Sequence, residues 1–305
     1  VMSLKAELHC HNVFSNGNVG ALEPIYDCNV TISKQLEQAH AVGLDVLFVT
    51  NHNTIDGFKQ MLEYKKNHQK FDALNVYPAE EVTTNNESHV LIYGLDHSIK
   101  SGLSLHEVLD EAKKQDAVTI APHPFSLLDA LREDSTYCDL FEVFNSSNVD
   151  VYSNLKAKNF AKEKGLHVVA GSDSHVQSTI GRSTNLIHSE NKLDSVIDAM
   201  KHHKITIENT AYVQPKEALE HIRYKIENSA FFIDKYTSQF YPRALWPIKL
   251  LYKLYMIDPE GIFWNMFYRM SISALKKISR KINFEGYDHR LFRERNLVNI
   301  LKMAL

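Results

Sequence analysis

The chain has 305 residues, of which 44% are hydrophobic and 23% charged, and its formal net charge is −3. These values exclude an intrinsically disordered chain, and no apolar run reaches the roughly 18 to 20 residues that a membrane-spanning helix needs. With three cysteines and no basic-then-apolar N-terminal segment, we expect a cytoplasmic protein without a disulfide framework.

Charge and histidine are distributed unevenly. Residues 214–305 contain 16 basic and 9 acidic side chains, a local charge of +7 against −10 for the rest of the chain. This asymmetry indicates a basic appendage on an acidic body. The chain also contains 16 histidines, which directs the search for function to metal sites.

The first two-thirds of the sequence alternates between strand and helix patterns. Short runs rich in Val, Ile and Phe predict strands at 4–10, 45–50, 76–83, 89–95, 117–122, 140–144, 167–170 and 205–208. Amphipathic stretches between them predict helices at 33–42, 56–67, 104–115, 150–164 and 193–202. This alternation predicts parallel strands with crossover helices, in an α/β fold that is better suited to a TIM-like barrel than to a small open sheet.

The pattern becomes wholly helical after residue 210. Helices are predicted at 215–240, 244–257, 261–282 and 289–304, with Pro and Gly between most of them. We therefore expect two domains, a β/α barrel at 1–210 and a basic, aromatic-rich helical extension at 211–305. The extension is expected to pack on the barrel, with nucleic-acid contact, a homodimer interface and a membrane-surface helix as the alternatives.

Candidate metal ligands recur at the ends of the predicted strands. His9 and His11 occupy alternate positions, so both project from one face of a strand and suit one cation. The other candidates at strand ends are His52, Glu81, His89, His123, Asp173 and His175. A barrel gathers the carboxyl ends of its strands at one face. The mixture of imidazoles and carboxylates there suits two or three divalent ions such as Zn, Mn or Fe.

The ordered series of motifs resembles the PHP (polymerase and histidinol phosphatase) family of metal-dependent phosphoesterases. The matching motifs lie within residues 4–190 and are Glu7-Leu8-His9-Cys10-His11, Thr50-Asn51-His52-Asn53-Thr54, Glu81-Val82-Thr83, His89, Pro122-His123-Pro124 and Gly171-Ser172-Asp173-Ser174-His175. The resemblance implies a distorted seven-stranded β/α barrel that holds up to three metals.

The resemblance also implies how the ligands are shared among the metals. The first metal would be held by His9, His11, Glu81 and Asp173. Glu81 would bridge to a second metal, bound also by His89 and His123, and His52 and His175 would serve a third. The family usually carries an aspartate where this sequence has Asn16, and an uncharged amide ligand there implies a weaker third site.

The predicted chemistry is hydrolysis of a phosphate ester. Such an ester resists attack because it is anionic and water is a poor nucleophile. Clustered divalent ions neutralise the phosphoryl oxygens and lower the pKa of a bridging water toward 7, which makes hydroxide available. Arg182 and Arg132 are candidate phosphate clamps, since a guanidinium can bind phosphate through two hydrogen bonds. For each, a solvated surface arginine is the alternative.

The sequence leaves the substrate and two other functions open. A nucleotide, a short oligonucleotide and a histidinol-phosphate-like monoester all fit, and the basic extension favours nucleotides or nucleic acid. An amidohydrolase-like enzyme also uses an H-x-H motif on a barrel, but it usually has a bridging lysine where this chain has Glu81. A non-catalytic metal-binding regulatory module is disfavoured, because unused buried His and carboxylate groups are costly.

Overall fold

A mixed nine-stranded sheet, rolled into a nearly closed barrel, dominates the computed structural model, which describes residues 2–305. The strands are Met2–Glu7 (β1), Val46–Val49 (β2), Asn75–Thr83 (β3), His89–Tyr93 (β4), Val118–Ala121 (β5), Leu140–Asn145 (β6), Val168–Gly171 (β7), Thr184–Ser189 (β8) and Ile205–Asn209 (β9). Their spatial order is β7-β6-β5-β4-β3-β2-β1-β8-β9.

The resemblance implied seven strands and the alternation predicted parallel ones, whereas the sheet has nine strands and is mixed. Strands β1, β2 and β3 pair in parallel, as do β5, β6 and β7. Strand β4 is antiparallel to both neighbours, β8 pairs antiparallel with β1, and β9 pairs antiparallel with β8. Strand β4 follows β3 through a turn closed by a hydrogen bond from Thr84 N to Ser88 O. That connection is too short for the crossover a parallel strand requires.

A side chain links strands across the gap in the barrel. Ala170 N on β7 donates to Asn185 Oδ1 on β8 at 3.0 Å, and Asn185 Nδ2 donates to Ala170 O at 2.7 Å. These bonds replace a backbone ladder between β7 and the β8–β9 edge. The barrel interior is filled by side chains at alternate strand positions, including Leu4, Ala6 and Phe48.

Five helices cover the barrel close to the predicted positions: Ile32–Ala41 (α1), Asp56–Lys66 (α2), Leu105–Lys114 (α3), Tyr152–Lys164 (α4) and Leu193–Lys201 (α5). Local capping explains their ends. Thr31 Oγ1 accepts a hydrogen bond from Lys34 N at the start of α1, and Ser104 and Glu107 form a reciprocal capping box on α3.

Residues 215–304 are helical, in six helices rather than the four expected: Pro215–Glu227 (α6), Ala230–Phe240 (α7), Leu245–Ile257 (α8), Ile262–Phe284 (α9), Arg290–Arg293 (α10) and Leu297–Ala304 (α11). Ile278 and Ile282 of α9 pack with Met303 in a small core beside the barrel. We keep the name C-terminal extension for residues 211–305. Within residues 2–305, no helix combines the length and apolarity needed to cross a membrane.

Candidate metal centre

Ten side chains converge where the barrel strands end. This group, called the ligand cluster below, comprises His9, His11, Asp27, His52, Glu81, His89, His123, Asp129, Asp173 and His175. Strand β1 ends at Glu7, so His9 and His11 lie just beyond it rather than within it. An isolated parallel bridge between Cys10 and Ser174 keeps that segment extended. Both imidazoles therefore still project from one face, as the alternation predicted.

The first donor set lies around His9, His11, Glu81 and Asp173. His9 Nε2 is 3.5 Å from Glu81 Oε2 and 3.4 Å from Asp173 Oδ1. His11 Nε2 is 3.2 and 3.5 Å from the same two oxygens. Ligands bonded tetrahedrally to one cation at about 2.0–2.1 Å stand about 3.3–3.4 Å apart. The spacing of this set therefore fits one divalent cation.

The second donor set uses the other oxygen of Glu81. Glu81 Oε1 lies 2.9 Å from His89 Nδ1 and 3.1 Å from His123 Nε2. Asp129 joins these two histidines, with Oδ1 3.4 Å from His123 Nδ1 and Oδ2 3.9 Å from His89 Nδ1. One carboxylate thus faces two donor sets through different oxygens, which is the geometry of a bridging ligand.

The third donor set corrects the expectation for Asn16. Both polar atoms of its amide are bonded elsewhere: Oδ1 accepts from the backbone N–H groups of Asp27 and Cys28, and Nδ2 donates to Cys28 O and Tyr224 Oη. The carboxylate that faces the histidines is Asp27, whose Oδ2 lies 3.0 Å from His175 Nε2 and 3.5 Å from His52 Nε2. Asn16 therefore holds the loop that places Asp27, and the third set carries a negative charge.

Partners outside the cluster orient the first two imidazoles. His9 Nδ1 is 2.9 Å from Glu142 Oε1, and His11 Nδ1 is 3.0 Å from Ser15 Oγ. Each bond leaves Nε2 pointing at the carboxylates, as in second-sphere contacts of metal-binding histidines. Gly171 is required here, because a Cβ at this position would lie 1.9 Å from Glu142 Oε1. The sequence motif that contains Gly171 thus has a steric basis.

The ligand cluster fits metal ions because several of its buried polar atoms lack a hydrogen-bond partner among residues 2–305. Five atoms make no hydrogen bond: His9 Nε2, His11 Nε2, Asp27 Oδ2, His52 Nδ1 and His89 Nδ1. Buried polar atoms are rarely left unpaired in folded proteins. Imidazole nitrogens and carboxylate oxygens in this arrangement are the donors that Zn, Mn and Fe accept.

Burial and ion pairing shift the pKa values of the clustered histidines in opposite directions. Burial alone would lower the pKa of His89, but the Glu81 carboxylate raises it to about 10. Burial is likewise overcome at His123, whose pKa Asp129 and Glu81 raise to about 9. Without cations, protonated imidazoles therefore balance the charge of the ionised carboxylates. A divalent cation that binds here must displace those protons, which couples metal binding to pH.

Both arginines predicted as phosphate clamps bond to the C-terminal extension. Arg182 forms an ion pair with Glu217 at 2.5 Å and donates to Tyr212 O. Arg132 is buried, and its Nη2 donates to Asn283 Oδ1 on α9 at 2.9 Å. Both side chains tie the barrel to the C-terminal extension, so we do not propose them as clamps.

Residues of α6, which no sequence motif indicated, contact the third donor set. Lys225 Nζ lies 3.0 Å from Asp27 Oδ1. His221 Nε2 bonds to Asp27 O at 2.9 Å, and its ring stacks on His175 with centroids 4.5 Å apart. The extension therefore covers one side of the ligand cluster. These two residues contact the cluster through the packing of distant segments, so the sequence pattern could not identify them.

Comparison with known proteins gives relatives in sequence and in fold. Residues 151–205 match the family described as PHP-associated. Two uncharacterized proteins of Methanocaldococcus jannaschii, MJ0417 and MJ1587, are 29% and 32% identical to the chain. Each match covers 52% of this chain, and they span 65% of the first relative and 93% of the second.

Two solved structures share the fold at low sequence identity. PsfC from Pseudomonas syringae aligns with a TM-score of 0.51 and 17% identity, over 74% of this chain and 99% of PsfC. The lesion-specific endonuclease PfuEndoQ from Pyrococcus furiosus aligns with a TM-score of 0.50 and 16% identity, over 70% of this chain and 60% of the endonuclease. Identities this low show a common fold and leave the activity to be argued from the site.

Proposed function

The chain belongs to the PHP domain family, and from this premise we propose that it is a metal-dependent phosphoesterase, a hydrolase of phosphate esters. The observation that carries the proposal is the position of the Glu81 carboxylate between two sets of imidazoles. A carboxylate in that position supports adjacent divalent cations, which suit the neutralisation of a phosphoryl group. The same site argues against an amidohydrolase-like enzyme, which usually has a bridging lysine there.

We propose two or three divalent cations of the Zn, Mn or Fe type. The proposed ligands are His9, His11, Glu81 and Asp173 for the first, Glu81, His89, His123 and Asp129 for the second, and His52, His175 and Asp27 for the third. When bound, the cations would supply positive charge to the phosphoryl oxygens and acidify a water molecule. This ligand set replaces the predicted Asn16 by Asp27 and adds Asp129.

The chain's own residues hold this site in a fixed and largely dry geometry. Glu142 accepts from His9 Nδ1 and, through its other oxygen, from His123 N at 2.6 Å, so it fixes one histidine of each of the first two donor sets. His9, His11 and Glu81 are almost fully buried, whereas Asp173 is partly exposed. Asp129 is also partly exposed and lines a separate cavity with His89, so the cluster is open at Asp173 and at Asp129, while the buried ligands are shielded from bulk water.

The substrate class is open between a phosphorylated small molecule and nucleic acid. The net charge of +7 over residues 214–305 and the fold likeness to a lesion-specific endonuclease favour nucleic acid as the second candidate. In the part of the chain that the structure describes, the cavity beside Asp173 has a mainly apolar lining without lysine or arginine, which favours a small molecule. A homodimer stays a prediction.

Metal analysis and a substrate panel test the proposal. Purified protein incubated with Mn²⁺, Zn²⁺ or Fe²⁺ should hold at least two equivalents and hydrolyse phosphomonoesters. Glu81→Gln should lose metal and activity together. Glu80→Gln is the matched control, because Glu80 is the adjacent buried glutamate and its Oε1 accepts from Ile99 N, away from the ligand cluster. A folded protein that binds none of these metals, or a metal-loaded protein that hydrolyses no ester, contradicts the proposal.

A further inference from the structure

Two neighbouring cavities lie at the C-terminal extension, one between it and the barrel and the other within it. The first, about 230 Å³, begins at Asp173 and His175 and continues between α6 and α9. The second, about 350 Å³, lies among the helices of the extension. Ile222 and Tyr268 line both cavities. The two spaces are therefore neighbours, and these two side chains stand where a route from the ligand cluster into the extension would pass.

The linings of both cavities are mainly apolar. Among the described residues, neither lining contains a lysine or an arginine. The acidic groups in the first lining are Asp173, which belongs to the ligand cluster, and Glu217, whose charge is neutralised by Arg182. The second lining consists of Leu, Ile, Phe, Tyr and Trp side chains with one serine. A polyanion would find no cationic partner here, whereas an apolar group would find a surface to bury.

Resting on the proposed phosphoesterase activity, we infer that the substrate is the phosphate monoester of a long apolar alcohol. Its phosphate lies at the ligand cluster, and its hydrocarbon chain passes Ile222 and Tyr268 into the second cavity. The first cavity alone is smaller than the roughly 300 Å³ typical of the smallest drug-sized pockets. The continuation into the second cavity is what gives a long chain its room.

The outer wall of the second cavity shows where such a chain leaves the protein. Phe263 and Phe267 line the cavity and are 61% and 53% exposed. Ile262, Met266 and Met270 on the same helix are also largely exposed. An apolar chain longer than the cavity therefore continues along an apolar surface instead of entering water. The ester of a compact, water-soluble alcohol would have no apolar chain to bury on this surface.

Binding of uncleavable analogues tests the inference independently of catalysis. Methyl-, butyl- and octylphosphonate have the same head group and differ in chain length. Calorimetry on the Mn²⁺-loaded full chain, below the aggregation concentration of each ligand, should show tighter binding with length, by up to about fourfold per buried methylene. We expect octylphosphonate to bind at least a hundredfold more tightly than methylphosphonate. Equal affinities across the series would overturn the inference.

A variant at Ile222, which lines both cavities, tests whether the dependence on chain length arises there. Ile222→Trp should reduce the ratio of octyl- to methylphosphonate affinity at least tenfold, because the larger ring narrows the passage. Ile257→Trp is the matched control: Ile257 is 79% exposed and lines neither cavity. An unchanged ratio in a folded Ile222→Trp protein overturns the route. The length series on the unmodified protein decides the substrate class even when this variant does not fold.

Measured rates of hydrolysis distinguish an incorrect substrate class from an incorrect phosphoesterase assignment. Octyl phosphate should exceed methyl phosphate and a single-stranded oligonucleotide in kcat/KM by at least tenfold. Hydrolysis of methyl phosphate or the oligonucleotide without any gain for octyl phosphate overturns the inference and keeps the phosphoesterase. Length-dependent phosphonate binding with no hydrolysis of any ester overturns the phosphoesterase and keeps the apolar-chain site.

Discussion

Lys225 forms an ion pair with the buried carboxylate of Asp27, with Nζ 3.0 Å from Oδ1. Lys225 lies on α6, whereas Asp27 lies between β1 and α1, so the pair joins the extension to the barrel at the third donor set. Burial raises the pKa of Asp27, but His175 and Lys225 hold it well below its usual range. One carboxylate is thus shared between an ammonium group and the proposed position of a third cation.

Removal of this ammonium group should strengthen the third cation site. Lys225→Met leaves Asp27 with one positive neighbour fewer, and it removes repulsion between the ammonium group and a bound cation. We expect the weakest Mn²⁺ site in a calorimetric titration to tighten at least tenfold, which is about 1.4 kcal/mol. Lys216→Met, at an exposed position of the same helix, is the control. Unchanged affinity in Lys225→Met would show that the ion pair does not affect cation binding.

Substitutions at Asp27 and Asn16 should separate a ligand from the residue that positions it. Asp27→Ala should remove one equivalent of bound metal, measured by elemental analysis. Asn16→Asp should not add metal, because the new carboxylate would replace the amide that donates to Cys28 O and Tyr224 Oη. Loss of these bonds costs about 1–3 kcal/mol of stability, measurable by urea denaturation. A gain of metal in Asn16→Asp would restore Asn16 as the ligand.

The sequence predicted those site residues whose position follows from local structure. His9 and His11 are two residues apart in an extended segment, so their common face follows from backbone geometry alone. Asp27 gave no such signal, because it lies in an irregular loop. That loop is fixed by the side chain of Asn16, which accepts hydrogen bonds from the backbone N–H groups of Asp27 and Cys28. Lys225 reaches the site only through the packing of α6. Local periodicity carries no information about such contacts.

The same limit explains the errors in the fold. The apolar run at β4 predicted a strand correctly, but its direction depends on the short turn at Thr84–Ser88, which permits only a hairpin. Strand β8, Thr184–Ser189, was missed because Leu186 and Ile187 are its only large apolar residues. Its place is fixed instead by antiparallel pairing with β1 and β9. Backbone pairing, rather than side-chain pattern, determines both features.

Glu142→Gln should weaken metal binding although it substitutes none of the proposed metal ligands. One Glu142 oxygen pairs with His9 Nδ1, and the other accepts from His123 N and Asn145 Nδ2. A glutamine has a single acceptor oxygen, so one side of this network loses its partner. We expect a 10- to 100-fold loss of metal affinity, as is typical for second-sphere changes, in competition with a chelator. Glu111→Gln on the surface of α3 is the control, and equal affinities in the two variants would contradict this role.

Glu80 should make the metal-free protein less stable as pH rises. Its carboxyl is buried, with Oε1 accepting from Ile99 N and Oε2 without a hydrogen-bond partner. Burial raises the pKa of Glu80 to about 7 from 4.5. The folded state therefore holds this proton more tightly than the unfolded chain does. The stability it contributes is complete below about pH 4.5 and is lost as pH rises through about 7.

Glu80→Gln cannot ionise, so its stability relative to the unmodified protein should improve by about 2 kcal/mol between pH 5 and pH 8. Urea denaturation of the metal-free proteins at both pH values measures this difference, and chelation of metal keeps cation binding out of the comparison. Glu63→Gln, an exposed change on α2, should show no such trend. If Glu80→Gln and the unmodified protein lose stability in parallel over this range, Glu80 is already ionised at pH 5, and another group determines the pH dependence.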